Sequence, residues 1–328
     1  MEKVISGIRP TGNLHLGNYF GAVKSFLQMQ DEYDCMFFIA DWHSLTTHPT
    51  PENIRQSVRT ILSEYLACGI DPEKAPIYVQ SDVKPVLELY LYLNMNAYLG
   101  ELERVTSFKE KARTQPDNVN AGLLTYPTLM AADVLAHKAD KVPVRKDQDQ
   151  NMEMMRLFAR RFNRIYNVDF FKEPQSYHFY KTAVKVPGLD GSGKMGKSNG
   201  NCIYLCDDEA TIRKKVMKAV TDSGPTQLNQ QKPEVIQNLF TLLELVSTKD
   251  TCDYFNDQYN AMTIRYGDLK KQLAADVNAF CAPIRERILE FQSNEEYIQK
   301  VAARGAERAS ESAAATLREV RQIIGFRA

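Results

Sequence analysis

The chain has little tryptophan, histidine or cysteine and carries no net charge. Its 328 residues include one tryptophan, five histidines and six cysteines, and lysine plus arginine equals aspartate plus glutamate at 41 each. The overall charge therefore gives no indication of a nucleic-acid partner. No apolar run approaches the ~20 residues of a membrane span, and the first residues lack a secretory-signal pattern. We expect a cytoplasmic globular protein without membrane attachment.

The cysteines are scattered and predict no disulfide framework. Cys202 and Cys206 have the spacing of half a metal site, but no second pair or nearby histidine completes it. We therefore predict free thiols and no protein-bound metal.

The first eighty residues alternate between strand and helix patterns. Apolar runs predict buried strands, and apolar residues at helical spacing predict the helices between them. Thr50 caps the second helix, Pro51 is its first residue and Gly69 ends it. The predicted strands are 4–7, 35–40 and 77–79, with helices over 16–30 and from Pro51 to Gly69. This βαβαβ order predicts an α/β fold with a Rossmann-like, doubly wound parallel sheet.

The remainder is predicted to be mainly helical. Residues 83–138 and 147–164 have helical patterns, residues 142–144 are short and extended, and a glycine-rich loop covers 188–200. The second helical pattern turns Met152, Met155, Leu157, Phe158 and Phe162 inward. We predict a catalytic domain over 1–200, with a helical insertion at about 100–140, and a helical C-terminal domain over 201–328.

Two loops are candidates for binding a polyphosphate. Residues 11–18 (TGNLHLGN) join a strand to a helix N-terminus, where free N–H groups and the helix dipole favour an anion. Residues 188–198 (GLDGSGKMGKS) carry four glycines and two lysines, which suits a mobile loop that neutralises phosphate charge. Neither loop matches a dinucleotide or Walker fingerprint. Locally, each is equally readable as an ordinary turn or a solvated linker.

Taken together, the loops resemble the HIGH and KMSKS signatures of class I aminoacyl-tRNA synthetases, here HLGN at 15–18 and KMGKS at 194–198. Several further segments resemble the tryptophanyl-tRNA synthetases of bacterial type. They are 6–12, 100–104, 108–111, 121–127, 130–133, 142–144, 147–148 and 218–223. The resemblance covers most of residues 1–224 and is weaker in the C-terminal third.

Two positions depart from the family pattern. Gly196 replaces the usual serine of KMSKS, which removes a hydroxyl donor to phosphate and loosens the loop. Arg9 stands where many bacterial relatives carry glutamine. Arg9 either adds a charge at the ATP site or alters inhibitor sensitivity, and the sequence does not choose between these alternatives.

The resemblance implies ATP and Mg²⁺ as cofactors, with Mg²⁺ held mainly by the phosphates. It assigns the stabilisation of the triphosphate to Lys194, Lys197 and Lys111. It also places Asp147 at the ribose or the adenine edge. The implied ATP-binding residues are Arg9, Pro10, Thr11, His15, Gly17, Asn18, Arg145, Lys146, Asp147, Lys194, Met195, Gly196, Lys197 and Ser198.

Asp133 is the candidate reader of the substrate side chain. Tyr126, Met130, Asp133 and His137 follow helical spacing, and a carboxylate on such an apolar face needs a partner. Indole offers a single N–H donor, for which an ionised aspartate is a natural acceptor. The family places the matching aspartate at the indole nitrogen. The side chain of the substrate is predicted to bind in an apolar slot lined by Ile5, Met130, Val142 and Val144. The amino and carboxylate ends of the substrate are predicted to contact Tyr126, Gln148 and His43. His43 is equally readable as a structural histidine.

The resemblance therefore implies a ligase that activates L-tryptophan with ATP and transfers it to tRNA(Trp). It also implies a homodimer and anticodon reading by the helical C-terminal part. Basic runs such as Arg156, Arg160, Arg161 and Arg164 are readable as tRNA contacts or as solvated helix faces. The alternatives are a tyrosyl-tRNA synthetase, a small-molecule adenylyltransferase and a paralogue that only binds tRNA. Tyrosine would need a donor and an acceptor at its tip, and an adenylyltransferase would not need the long helical tail.

Overall fold

A computed structural model describes residues 1–144, 148–177 and 184–327 of the chain. Its centre is one parallel five-stranded sheet in the order β3-β2-β1-β4-β5. The strands are β1 (Lys3–Ile8), β2 (Asp34–Ile39), β3 (Ile77–Val79), β4 (Lys141–Pro143) and β5 (Gln175–Tyr177). The predicted doubly wound α/β fold is confirmed. Strand β5 was missed, because its three residues, one exposed and two half-buried, carry almost no apolar signal.

Helices cover both faces of the sheet and predominate in the described C-terminal part. The helices are α1 (Leu16–Asn18), α2 (Lys24–Glu32), α3 (Asp41–Ser44), α4 (Pro51–Cys68), α5 (Pro85–Met95), α6 (Leu99–Leu102), α7 (Thr106–Thr114), α8 (Ala121–Leu135), α9 (Asp149–Tyr166), α10 (Glu209–Met217), α11 (Glu234–Val246), α12 (Lys249–Asn260), α13 (Tyr266–Ser293) and α14 (Glu295–Ile324). A π-helical segment, Tyr19–Val23, joins α1 to α2. The helix predicted over 16–30 is therefore three segments with different hydrogen-bond patterns.

The predicted ends of α4 are confirmed. The Thr50 side chain accepts a hydrogen bond from the Asn53 N–H, and Gly69 ends the helix at a φ of 107°. The inward residues predicted for α9 are buried, except Leu157, which is only half-buried. The helix-face prediction around Asp133 needs one correction. Helix α8 ends at Leu135, so His137 lies beyond it and contacts the Tyr78 hydroxyl at 3.3 Å instead.

Alternate residues of the central strands enter two apolar cores. Val4 and Phe37 belong to the core that packs against α4 and α13, whereas Ile5 and Phe38 belong to the core that packs against α8 and α9. This explains why β2 reads as a continuous apolar run. The sheet's strand order reverses between β1 and β4, and ligands of such sheets bind at the carboxyl ends of the strands beside that point.

The last helix returns to the sheet edge. A Cβ atom on Gly305 of α14 would lie 2.0 Å from the Ile77 carbonyl oxygen, so only glycine allows this helix to approach β3 so closely. One core contains residues of α4 together with residues of α11 and α13, and therefore crosses position 200. The division into domains at that position stays a prediction.

Candidate active site

The first loop leaves the carboxyl end of β1 and is fixed by backbone pairing. His15 forms an antiparallel bridge with Tyr204, in which the Leu16 N–H donates to the Ile203 carbonyl at 3.0 Å and the Leu205 N–H donates to the Leu14 carbonyl at 3.0 Å. The segment just after the second loop is thus paired with the first loop. The structure therefore brings together the two signatures, which lie about 180 residues apart in the chain.

Gly17 makes close packing of the loops possible. A Cβ at this position would lie 2.8 Å from the His15 ring and 3.5 Å from the Met195 Cβ. Met195 is itself buried, and its N–H donates to the Val186 carbonyl at 2.8 Å. The glycine of the first signature and the methionine of the second are therefore in one packed unit.

The two predicted phosphate lysines of the second loop lie in different environments. The Lys197 ammonium donates to the Gly12 carbonyl at 2.8 Å and to the Thr11 carbonyl at 3.2 Å, so it crosses directly to the first loop. Burial lowers the pKa of Lys197, and Glu64 opposes that shift. Lys194 is exposed, with only its backbone carbonyl held by Ser192 and Asn201. Ser198 is also exposed.

Gly196 lies in an open part of the loop. Its N–H donates to the Asn201 side chain at 2.8 Å, and a Cβ here would meet nothing closer than the Asn199 amide nitrogen at 3.8 Å. Its φ of −157° is ordinary extended backbone. The departure from serine at this position is therefore not forced by lack of space.

Asp133 is at the centre of a buried polar cluster. It is 3% exposed, and both carboxylate oxygens already have donors. The Gln80 amide donates to Oδ1 at 2.7 Å and to Oδ2 at 2.9 Å, while His43 Nε2 lies 2.9 Å from Oδ2. Burial raises the pKa of Asp133, and the hydrogen bonds from His43 and Gln80 oppose that rise. A carboxylate has about four lone-pair sites, so one further donor can be accepted.

The predicted apolar walls lie in the same core as Asp133's helix. Ile5, Val142 and Val144 are buried, and Met130 is half-buried against the same cluster. They come from β1, the end of β4 and α8, which are the elements beside the reversal point of the sheet. Their shared cluster is consistent with an apolar slot at the position that the sheet topology favours for a ligand.

Basic and aromatic groups connect the Asp133 cluster to the first loop. The Tyr126 ring lies 4.3 Å from the His43 ring, and the Lys111 ammonium lies 4.7 Å above the Tyr126 ring. Burial lowers the pKa of Lys111, and the Arg9 charge lowers it further. Arg9 donates weakly to Thr47 at 3.4 Å, while Pro10 before the loop is buried. The charges of Arg9 and Lys111 thus lie close enough to interact.

The third predicted stretch of the site is only partly described. Gln148 accepts a hydrogen bond from the Asn151 amide at 2.7 Å. Arg145, Lys146 and Asp147 were predicted to bind ATP, and they lie outside the described residues.

Two buried residues were missed in the sequence. Gln80 follows β3 directly, and a polar residue at the carboxyl end of a parallel strand is the signal that could have identified it. Glu64 of α4 is fully buried, and its Oε2 accepts the Leu14 N–H at 2.6 Å. A carboxylate among the apolar residues Ile61, Leu62 and Tyr65 of that helix was the available signal.

For Arg161, both interpretations of the α9 arginines, as tRNA contacts and as a solvated helix face, are wrong. This residue is buried and makes a two-pronged ion pair with Glu101 at 2.7 Å. Arg160 pairs with Glu173 at 2.5 Å, and Arg156 pairs with Glu153 and the Pro174 carbonyl. Arg164 is exposed. The sequence showed the positive charges but not the acidic partners from other elements.

The parallel sheet and the paired loops over its reversal point define an α/β nucleotide-binding protein. The chain belongs to the family described as tRNA synthetases class I (W and Y), whose model matches residues 2–282. It is 73% identical to a tryptophan–tRNA ligase of Porphyromonas gingivalis over 327 residues, which covers 100% of both chains. A tryptophan–tRNA ligase of Listeria monocytogenes is 41% identical over 99% of this chain and 98% of the relative.

A solved relative has the same fold along nearly its whole length. The tryptophanyl-tRNA synthetase of Campylobacter jejuni, complexed with ADP and tryptophan, superposes with a TM-score of 0.90 at 32% identity. The match covers 99% of this chain and 100% of the other. The predicted family and enzyme class are thereby confirmed. In the described part of the chain, no helix is long and apolar enough to cross a membrane.

Proposed function

We propose that this chain is a tryptophan–tRNA ligase, which activates L-tryptophan with ATP and transfers it to tRNA(Trp). The matched ligases of P. gingivalis and L. monocytogenes cover essentially the whole chain, which supports carrying their activity over. The observation that carries the substrate choice is the buried Asp133 carboxylate, held by His43 and Gln80 within the apolar cluster of Ile5 and Val142.

We assign the indole N–H of tryptophan to Asp133. The indole N–H would occupy the remaining acceptor position of this buried carboxylate, and sites that hydrogen-bond a polar group of the substrate reject analogues lacking it by ~10⁴ or more. We assign Tyr126 and Gln148 to the amino and carboxylate ends of the substrate. For His43 we prefer a positioning role, because its Nε2 is already directed at Asp133.

ATP is assigned to the two joined loops, between α1 and the second signature. Lys197, Lys194 and Lys111 would supply positive charge to the triphosphate, and Arg9 would add a further charge beside Lys111. The described residues contain no group of three or more histidine, cysteine, aspartate or glutamate side chains arranged for a metal. Mg²⁺ fits this site as an ion bound mainly by the phosphates, where it would neutralise their charge.

The chemistry needs positioning and electrostatics rather than a nucleophilic side chain. The ionised tryptophan carboxylate attacks the α-phosphorus of ATP in line, forming one O–P bond while the bond to pyrophosphate breaks. The lysines stabilise the charge that develops on the leaving pyrophosphate. The 2′-hydroxyl of the terminal adenosine of tRNA then attacks the adenylate carbonyl and releases AMP.

A homodimer is supported by an exposed apolar row on α5 and the turn after it. Leu87, Leu91 and Met95 recur every four residues along one helix face, and Met95 is 76% exposed. Tyr98 and Leu99 extend the row. A groove of about 180 Å³ lined by Leu87, Tyr126 and other residues adjoins it. Contiguous exposed apolar surface of this kind is typical of a protein interface. We further propose that 1–200 is the catalytic domain and that the helical part over 201–328 contacts tRNA.

The test is tryptophan-dependent exchange of pyrophosphate into ATP by the purified protein. We expect exchange with tryptophan and none with tyrosine. The proposed function would be falsified by exchange that occurs with tyrosine alone, or by the absence of exchange with every amino acid. Asp133→Asn separates the substrate assignment from the activity. In this variant, discrimination between tryptophan and an analogue blocked at the indole nitrogen should largely disappear, and unaltered discrimination would remove Asp133 from its role.

A further inference from the structure

A buried carboxyl group lies directly beneath the first loop, outside the residues assigned to substrates above. Glu64 is 0% exposed, and its Oε2 accepts the Leu14 N–H at 2.6 Å. Its other oxygen, Oε1, has no hydrogen-bond partner among the described residues. Burial of a carboxyl group with only one oxygen hydrogen-bonded is unfavourable for folding. Buried titratable groups of this kind are concentrated at functional sites.

The loop that Glu64 holds is also the loop that holds Lys197. Leu14 is two residues from Gly12, whose carbonyl accepts from the Lys197 ammonium at 2.8 Å, and three from Thr11, whose carbonyl accepts at 3.2 Å. Helix α4, the first loop and the second loop are therefore connected in series by hydrogen bonds.

The electrostatic interactions of Glu64 also connect this residue to Lys197. Burial raises the pKa of Glu64 to about 8, and the Lys197 charge opposes that rise. The other titratable groups coupled to Glu64 are the thiols of Cys68 and Cys206, whose pKa values burial raises. The charge of Glu64 in turn raises the pKa of Lys197 against the effect of burial, so the two groups interact electrostatically.

We propose that Glu64 is a positioning residue that fixes the first ATP-binding loop on α4 and thereby sets where Lys197 of the second loop stands. The inference rests on the proposed assignment of both loops to ATP. Glu64 itself touches neither substrate. Its loss should weaken the use of ATP and leave tryptophan binding unchanged, because the Asp133 cluster does not include it.

The experiment compares Glu64→Met with Glu64→Gln in the exchange assay. Methionine fills similar volume but leaves the Leu14 N–H unsatisfied. An unsatisfied buried donor is expected to raise the KM for ATP by about 5- to 30-fold. Glutamine can still accept from Leu14 and should restore the KM to within about 3-fold of the wild type near pH 7. The KM for tryptophan should not move in either variant.

Two further measurements separate positioning from simple loss of structure. In the background of Lys197→Met, the effect of Glu64→Met should shrink to less than about 2-fold, because the positioned group is gone. As the pH rises from about 7 to about 9, the wild-type carboxyl ionises, holds Lys197 more strongly and repels phosphate, so its KM for ATP should rise. Glu64→Gln should show a smaller rise, because the contribution of this carboxyl is then absent. Glu101→Gln, which breaks the ion pair with Arg161 far from the loops, is the matched control and should leave the KM for ATP unchanged.

The outcomes distinguish this inference from the function on which it rests. Absence of tryptophan-dependent exchange in the wild type overturns the proposed function. Exchange that is insensitive to Lys197→Met overturns the assignment of Lys197 and the inference with it. Normal dependence on Lys197, together with a Glu64→Met effect that persists in the Lys197→Met background or raises both KM values equally, overturns the inference alone. A Glu64→Gln pH profile that matches the wild type also overturns it.

Discussion

Replacement of Gln80 by methionine tests the Asp133 cluster most directly. Gln80 is almost fully buried, and its amide nitrogen donates to both oxygens of Asp133 at 2.7 and 2.9 Å. Its own carbonyl oxygen has no partner among the described residues. Methionine has a similar length, so Gln80→Met removes the donor while it leaves little space and no new buried polar group.

The size of the effect follows from the bond that is lost. A hydrogen bond to a charged group contributes about 1.5–3 kcal/mol, and each 1.4 kcal/mol corresponds to a factor of ten in affinity. This energy is lost from the ionised form of Asp133, so at pH values below the raised pKa of that carboxyl we expect the Kd for tryptophan to rise by up to about 10- to 100-fold. The Gln80 hydrogen bond lowers the pKa of Asp133, so its loss raises that pKa further. The carboxylate then forms only at higher pH, and tryptophan binding by the variant should strengthen as the pH rises.

The assay is isothermal titration of tryptophan into the wild type and the variant at several pH values. Gln30→Met is the matched control, because Gln30 also makes two hydrogen bonds, to Gly69 and Asp71, far from the cluster. The control should lower stability without changing the Kd. The reasoning is refuted if Gln80→Met leaves the Kd within about 2-fold of the wild type at every pH, or if Gln30→Met weakens tryptophan binding equally.

The remaining predictions concern the last helix, the buried glutamate and the two loops. Gly305→Ala should destabilise the protein by about 1–3 kcal/mol in urea denaturation, because the added Cβ would clash with the Ile77 carbonyl. Gly267→Ala is the control and should not destabilise the protein, because its Cβ would meet no atom within 4 Å. Equal stabilities of the two variants would contradict the close packing of α14 on β3. Burial raises the pKa of Glu64, so the contribution of this residue to the free energy of unfolding is complete below its unfolded pKa of 4.5 and falls by about 1.4 kcal/mol per pH unit until about 8. The difference in the free energy of unfolding between wild type and Glu64→Gln, measured in urea, should follow this slope. A difference that stays constant with pH would contradict the prediction. Gly196→Ser has room for its side chain and should leave the Tm unchanged while it lowers the KM for ATP, so an unfolded or weaker-binding variant would show that the space is not usable. Lys111→Met should raise the KM for ATP and leave the KM for tryptophan unchanged. Because the pKa of Lys111 is lowered from 10.5, the KM for ATP of the wild type should begin to rise with pH below 10.5. A Lys111→Met variant with the same alkaline pH profile as the wild type would contradict the assignment of Lys111 to ATP.

Local chemistry was enough to predict most of the elements. Apolar run length predicted β2, and the cap at Thr50 with the glycine at Gly69 predicted both ends of α4. These signals succeed because strand burial, capping and the left-handed C-cap are properties of a few adjacent residues. Strand β5 failed because its pairing with β4, rather than its own side chains, makes it a strand.

The sequence by itself determined the doubly wound sheet, the two loops with the family signatures and an aspartate that needed a partner. Spacing along the chain gave no distance between these parts. Only the tertiary structure placed Lys197 on the carbonyls of the first loop, His43 and Gln80 on Asp133, and Glu64 under Leu14. The physical reason is that each of these contacts joins residues 50 or more positions apart, where partner choice depends on packing of whole elements and not on local sequence. The same reason explains Arg161, whose charge was visible in the chain while its burial against Glu101 was not.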